Sequence, residues 1–105
     1  INLDNWIVLY IFLELSLIKN LGYDPNLDKF KVTNDSSTDI KRIKIDTFFY
    51  EIPAFLISKK IPQKISNDLI KKSLFFTRSI IQNRFFITNN LPFPKSRIIL
   101  ENYFN

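Results

Sequence analysis

Apolar residues run without a break from Trp6 to Leu13, and the run resumes after Glu14 as far as Ile18. Asp4 or Asn5 can cap a helix over this stretch, ending near Leu21. Gly22 follows in the position where a left-handed residue closes a helix, and a glycine has no Cβ to clash there. Lys19 stands in the last turn, where the helix dipole favours a cation, and Pro25 cannot continue the helix. The segment Trp6–Leu13 is apolar on every face and predicts a helix buried all round. Trp6, Tyr10 and Phe12 are accordingly expected in the core.

Beyond Pro25 the period changes. Lys29–Thr33 alternates polar and apolar, and Arg42–Ile45 does likewise, which predicts two short strands. The Asn34-Asp35-Ser36-Ser37 run between them reads as the loop of a small β-hairpin. Phe48–Tyr50 continues as an apolar stretch, and Ile52–Ser58 predicts a short helix with Pro53 in its first turn. Lys59, Lys60, Pro62 and Gln63 form a linker. Ser66 is a good N-cap, with Asp68 in the first turn, for a long helix over 67–86. Ile70, Leu74, Thr77, Ile81 and Phe85 fall on one side of it, and Lys71, Phe75, Arg78 and Gln82 on another stripe. After Asn89-Asn90 and Leu91-Pro92-Phe93-Pro94, the residues Lys95, Ser96 and Arg97 open a last helix. The fold class is therefore mainly α: a small domain of three or four helices with a short β-hairpin insertion.

Composition narrows the function classes. The 105 residues include no Cys, no His and no Met, and a single Gly. Disulfides, thiolate nucleophiles, imidazole bases and the usual zinc sites are excluded by residue type. No acidic cluster has the spacing of a carboxylate metal site, and no phosphate-cradling glycine loop is possible with Gly22 alone. Glu14, between Leu13 and Leu15, is expected to pair inside the core, with Arg97 or a helix amine. No second carboxylate stands at a catalytic spacing from it. The expectation is a protein that is not an enzyme and holds no cofactor or metal.

A net charge of +5 and a pI near 9.6 favour acidic partners. The apolar run at the start is too short for a span of about 20 residues and is interrupted by Glu14, so no membrane segment is expected. Signal-peptide features are absent as well, so the chain is read as soluble and cytoplasmic. Because the chain opens on Ile1 without Met, and a helix apolar all round needs more partners than this length supplies, a piece of a longer protein is expected.

The string Glu14-Leu15-Ser16-Leu17-Ile18-Lys19-Asn20-Leu21-Gly22-Tyr23 resembles a helix end in the carboxy-terminal domain of the RecO family of bacterial recombination mediators. Ile52-Pro53-Ala54-Phe55-Leu56-Ile57 is similar to that family's "L-P-A-F-L-L" segment. Leu74–Arg78 resembles its "L-x-x-T-[RG]" helix, and Leu91-Pro92 through Lys95-Ser96-Arg97 its "L-P-x-x-x-S/A-R" helix start. The matches come in the family's order over nearly the whole chain. The resemblance implies one partial domain over 1–105, with an amino-terminal OB-fold missing upstream. It also implies a nucleoid-associated, cytoplasmic role in DNA repair and recombination.

Members of that family often carry a four-cysteine zinc element near a "V-T-G" turn. Here Val32-Thr33 survives, Phe30 stands where a Cys would be, and the zinc site is lost. A hydrophobic plug from Phe30, Ile43 or Phe48 is expected to take its place. The implied partners are the acidic, Phe-terminated tail of single-strand-binding protein, RecR, and single-stranded DNA. Lys71, Phe75, Arg78 and Arg97 have the residue types for the tail: an aromatic face for its Phe and cations for its carboxylates. Lys59, Lys60, Lys72 and Arg84 are the candidates for phosphate contacts. The alternative is a basic protein- or membrane-surface interaction module unrelated to repair.

Overall fold

The computed structural model describes residues 6–30, 40–62 and 64–104. Four helices and a two-stranded antiparallel sheet make up the ordered elements among them. Helix α1 spans Trp6–Asn20, β1 Ile40–Ile45, β2 Phe48–Pro53, α2 Ala54–Ser58, α3 Asn67–Ile81 and α4 Lys95–Tyr103. A 3-10 turn, Leu27–Phe30, lies between α1 and β1, and a π-helical turn, Gln82–Phe86, extends α3.

Helix α1 ends as its sequence dictates. Gly22 takes a φ of 104°, its N–H bonds to Lys19 O at 3.0 Å, and Tyr23 N–H reaches Ile18 O at 3.2 Å. This pair of bonds is the Schellman closure, which satisfies carbonyls the helix would otherwise leave unpaired. Ser66 caps α3 by accepting from Leu69 N–H at 3.2 Å, so that helix also starts where expected.

The hairpin is built differently from the expectation. Lys29 and Phe30 belong to the 3-10 turn, not to a strand, and the rest of the expected first strand (Lys31–Thr33) and its loop (Asn34–Ser37) lie outside the described residues. Local turn chemistry explains the change. Asp24 Oδ1 accepts from Asn26 N–H at 2.9 Å, Asn26 takes a φ of 56°, and Leu27 then drops into the core. The strand partner of Ile40–Ile45 is Phe48–Pro53, with Ile45 opposite Phe48 and Arg42 opposite Glu51. The turn between the strands places Asp46 at a φ of 57°. Asp tolerates that region because its short side chain can bond locally. Of the expected plug residues, Ile43 is buried, Phe30 is half-buried and Phe48 is exposed.

Helix α3 is the hub of the core. It packs on α1 along one side and on β2 along another. Ile7, Val8, Ile11 and Ile18 of α1 meet Leu69, Ile70, Leu74, Phe76 and Ile80 of α3 in a single cluster with Phe55, Leu56 and Ile57 of α2 and Ile43, Ile45 and Ile52 of the hairpin. Ile70, Leu74 and Thr77 are buried as expected, whereas Ile81 and Phe85 are only half-buried, next to and within the π turn. Phe76 is fully buried and meets Tyr50 edge-on, 5.3 Å between ring centroids.

The other face of α1 is a correction. Trp6, Leu9, Leu13 and Leu17 are 45–64% exposed, so the helix is buried on one side only. Tyr10 and Phe12 are half-buried at the margin, with Phe12 edge-on to Phe55 at 6.0 Å. Arg97 is the one buried residue of helix α4, and Phe104 tucks in just beyond its end, 6.2 Å from Trp6.

Candidate functional site

A polar knot fixes the three long helices. Glu14 and Arg97 are 6% and 7% exposed. Arg97 Nε donates to Glu14 Oε2 at 2.6 Å and its Nη2 to Oε1 at 2.9 Å. Thr77 Oγ donates to Glu14 Oε1 at 2.7 Å, and Tyr10 OH to Oε2 at 2.9 Å. Arg97 Nη2 also reaches Leu74 O at 3.1 Å. Burial works against the Arg97 charge, yet the bonds and charge of Glu14 outweigh it and hold the guanidinium above its ordinary range. The same surroundings raise the Tyr10 phenol, by burial first and then by its bond to Glu14. Arg97 is therefore a core residue and not a surface contact for a partner. Glu14 pairs with it, one of the two arrangements anticipated.

A groove lies between the hairpin and α3. Its cavity, about 460 Å³, is lined by Phe49, Tyr50 and Glu51 of β2, Asp68, Lys71, Lys72 and Phe75 of α3, and Glu101 of α4. Phe49 and Phe75 are 58% and 52% exposed. Each carries a cation on its ring: Arg42 lies 4.7 Å from the Phe49 centroid and Lys44 5.8 Å, and Arg78 lies 5.1 Å from that of Phe75. The register explains this grouping, because Lys44 stands opposite Phe49 and Arg42 opposite Glu51 on the outer face of the hairpin.

Each acid of the groove has a cation within reach, with Lys72 serving two of them. Lys72 bonds to Asp68 at 3.1 Å and approaches Glu51 at 3.4 Å, contacts that raise its ammonium above the ordinary lysine range, the bond to Asp68 foremost. Arg78 Nε donates to Glu101 Oε2 at 2.6 Å. Among the described residues no ion pair engages Lys71, Arg42 or Lys44. The arrangement offers two exposed rings of one cavity to an apolar side chain, and cations to neighbouring carboxylates.

Of the residues singled out for a partner, Lys71 and Phe75 come together in this groove and Arg78 stands at its edge. The residues singled out for phosphate contacts do not converge. Lys59 pairs with Asp28 at 3.6 Å beside a separate cavity between α1 and α2. Lys60 is exposed after α2. Lys72 is tied to its two carboxylates, and Arg84 is ion-paired to Asp46 with its guanidinium 4.2 Å from the Tyr23 ring. Lys59, Lys72 and Arg84 each hold a carboxylate of the chain itself, on three separate surfaces.

Phe49, Arg42 and Lys44 were missed in the sequence. The alternation Arg42-x-Lys44 was a usable signal for one strand face, but the ring that face meets depends on which strand pairs with it. Among the described residues, no cluster of metal-ligating side chains exists and no helix is long and apolar enough to cross a membrane. No protein-family model, curated protein or solved structure matches the chain.

Proposed function

We propose that this chain is a non-enzymatic interaction module, similar to the carboxy-terminal helical domain of RecO-like mediators, that holds an acidic peptide tail in the groove between the hairpin and α3. The observation that carries this reading is the pairing of two exposed rings, Phe49 and Phe75, with cations at 4.7–5.8 Å, beside Lys71, in a cavity whose acids are held by Lys72 and Arg78. An apolar slot flanked by cations fits a ligand with carboxylates next to an aromatic residue. The sequence motifs in RecO order support the identity of that ligand as the tail of single-strand-binding protein. In that setting RecR is the second partner, the work is recombinational repair, and the zinc element of the family is replaced by Ile43 and its neighbours.

The test is a titration of the chain with a labelled acidic peptide ending in Phe. Lys71→Glu and Phe75→Ala are expected to weaken binding by about tenfold each, the loss of one charge-assisted contact or one stacked ring. Both side chains are exposed, so far-UV circular dichroism should not change. Equal affinity in all three proteins would refute the groove. Arg78→Glu is a poorer test, because it would set two carboxylates against each other at Glu101.

A second reading rests on the exposed stripe of α1. Trp6, Leu9, Leu13 and Leu17 form an apolar face on a basic protein, as a surface-binding module unrelated to repair would need. Co-sedimentation with anionic vesicles, without affinity for the peptide, would favour it.

A further inference from the structure

The groove does not end at Glu101. On the far side of that residue a second cavity, about 190 Å³, is lined by Arg78, Gln82, Phe93, Ile98, Glu101 and Asn102. Glu101 lines both cavities, and Arg78, which holds it, lines the second. It is a close contact, 2.6 Å from Nε to Oε2, on a carboxylate only 14% exposed. Arg97 Nη1 adds a longer contact to the same oxygen at 3.5 Å.

Among the described residues, Arg78 is thus the one cation at the groove edge that lies on an aromatic ring and already holds a carboxylate. Resting on the acidic-peptide reading of the groove, we propose that Glu101 is an internal stand-in for a ligand carboxylate, and that the ligand binds by displacing it from Arg78. The peptide's terminal aromatic residue lies against Phe75 in the groove, its carboxylate takes the place of Glu101 on Arg78, and the acidic residues before it lie along Lys71, Arg42 and Lys44. Helix α4 can yield in this way without unfolding, because Arg97 remains anchored to Glu14 by its own two bonds. The apparent affinity of the resting protein is lowered by the fraction of molecules in which Glu101 occupies Arg78.

The experiment compares wild type, Glu101→Ala, Glu101→Gln and Phe75→Ala in fluorescence titrations with one synthetic peptide of acidic residues ending in Phe. Circular dichroism verifies that each variant is folded; the Gln variant keeps the shape of the side chain and serves if the Ala variant is not. If the internal contact is formed in about nine molecules of ten, its removal tightens binding about tenfold. The Phe75→Ala variant is expected to bind more weakly than wild type. Tighter binding by the Glu101 variants supports the displacement, including the case in which wild type binds too weakly to measure. Wild-type affinity or weaker in both Glu101 variants, with Phe75→Ala still impaired, overturns the displacement and leaves the groove standing. No binding by any of the proteins overturns both.

Discussion

Replacing Arg97 by Ala should be among the most damaging single changes this chain can suffer. Glu14 accepts from Tyr10, Thr77 and both sides of Arg97, and Arg97 is its countercharge. The variant leaves a carboxylate that is 6% exposed with two hydroxyl donors and no cation. Breaking a buried pair from one side costs about 3–5 kcal/mol. A chain of this length has a total of roughly 5–15 kcal/mol, so the loss removes a large share of the stability. A loss of 3 kcal/mol would lower the midpoint of thermal unfolding by upwards of about 12 °C. Urea titration followed by circular dichroism measures it directly. The double variant Glu14→Leu with Arg97→Met is expected to recover most of the loss, since apolar replacements of a whole buried pair are often neutral or stabilising. Thr77 keeps acceptors in Ser73 O and Leu74 O, so its hydroxyl is not stranded. Trp6, the single tryptophan, lies 6.2 Å from Phe104, and its emission reports whether α4 stays docked. A cost below about 1 kcal/mol, the range of exposed ion pairs, would refute the reasoning.

Two further outcomes follow from the same structure. Gly22→Ala meets no atom within 4 Å, so its cost is that of the backbone at a φ of 104° alone, about 1–2 kcal/mol in urea unfolding; an unchanged midpoint would contradict the Schellman closure. Burial holds the Tyr10 and Tyr50 phenols above the ordinary value of 10.0, with Glu14 adding to the effect on Tyr10. The folded state therefore retains these protons longer than the unfolded state. The stability they contribute is complete below pH 10 and is lost as pH rises through the raised values. Tyr10→Phe and Tyr50→Phe should each flatten the alkaline fall in stability above pH 10.

The two long helix starts and stops that depend on near neighbours were legible in the chain. Ser66 caps and Gly22 closes because the bonds involved span three to five residues, and the residue types admit few alternatives. The pairing of Glu14 inside the core was also legible, since a carboxylate between two leucines of an apolar helix has to find a partner. Its choice of Arg97, eighty-three positions away, was one of two arrangements the sequence allowed.

Tertiary structure alone decided the rest. Alternation showed that Arg42–Ile45 was a strand but could not choose its partner, and a strand acquires its neighbours only through pairing. That choice brought Arg42 and Lys44 onto Phe49, and the packing of β2 on α3 then made a groove lined by both Phe49 and Phe75. The ion pairs of the cations chosen for phosphate contacts were hidden for a related reason. Sequence gives the sign of Lys72 and Arg84, but the carboxylates that neutralise them come from β2 and from the hairpin turn as well as from α3 itself. A charge is fixed by residue type; whether it faces a partner or ties the fold together depends on what the chain folds against it.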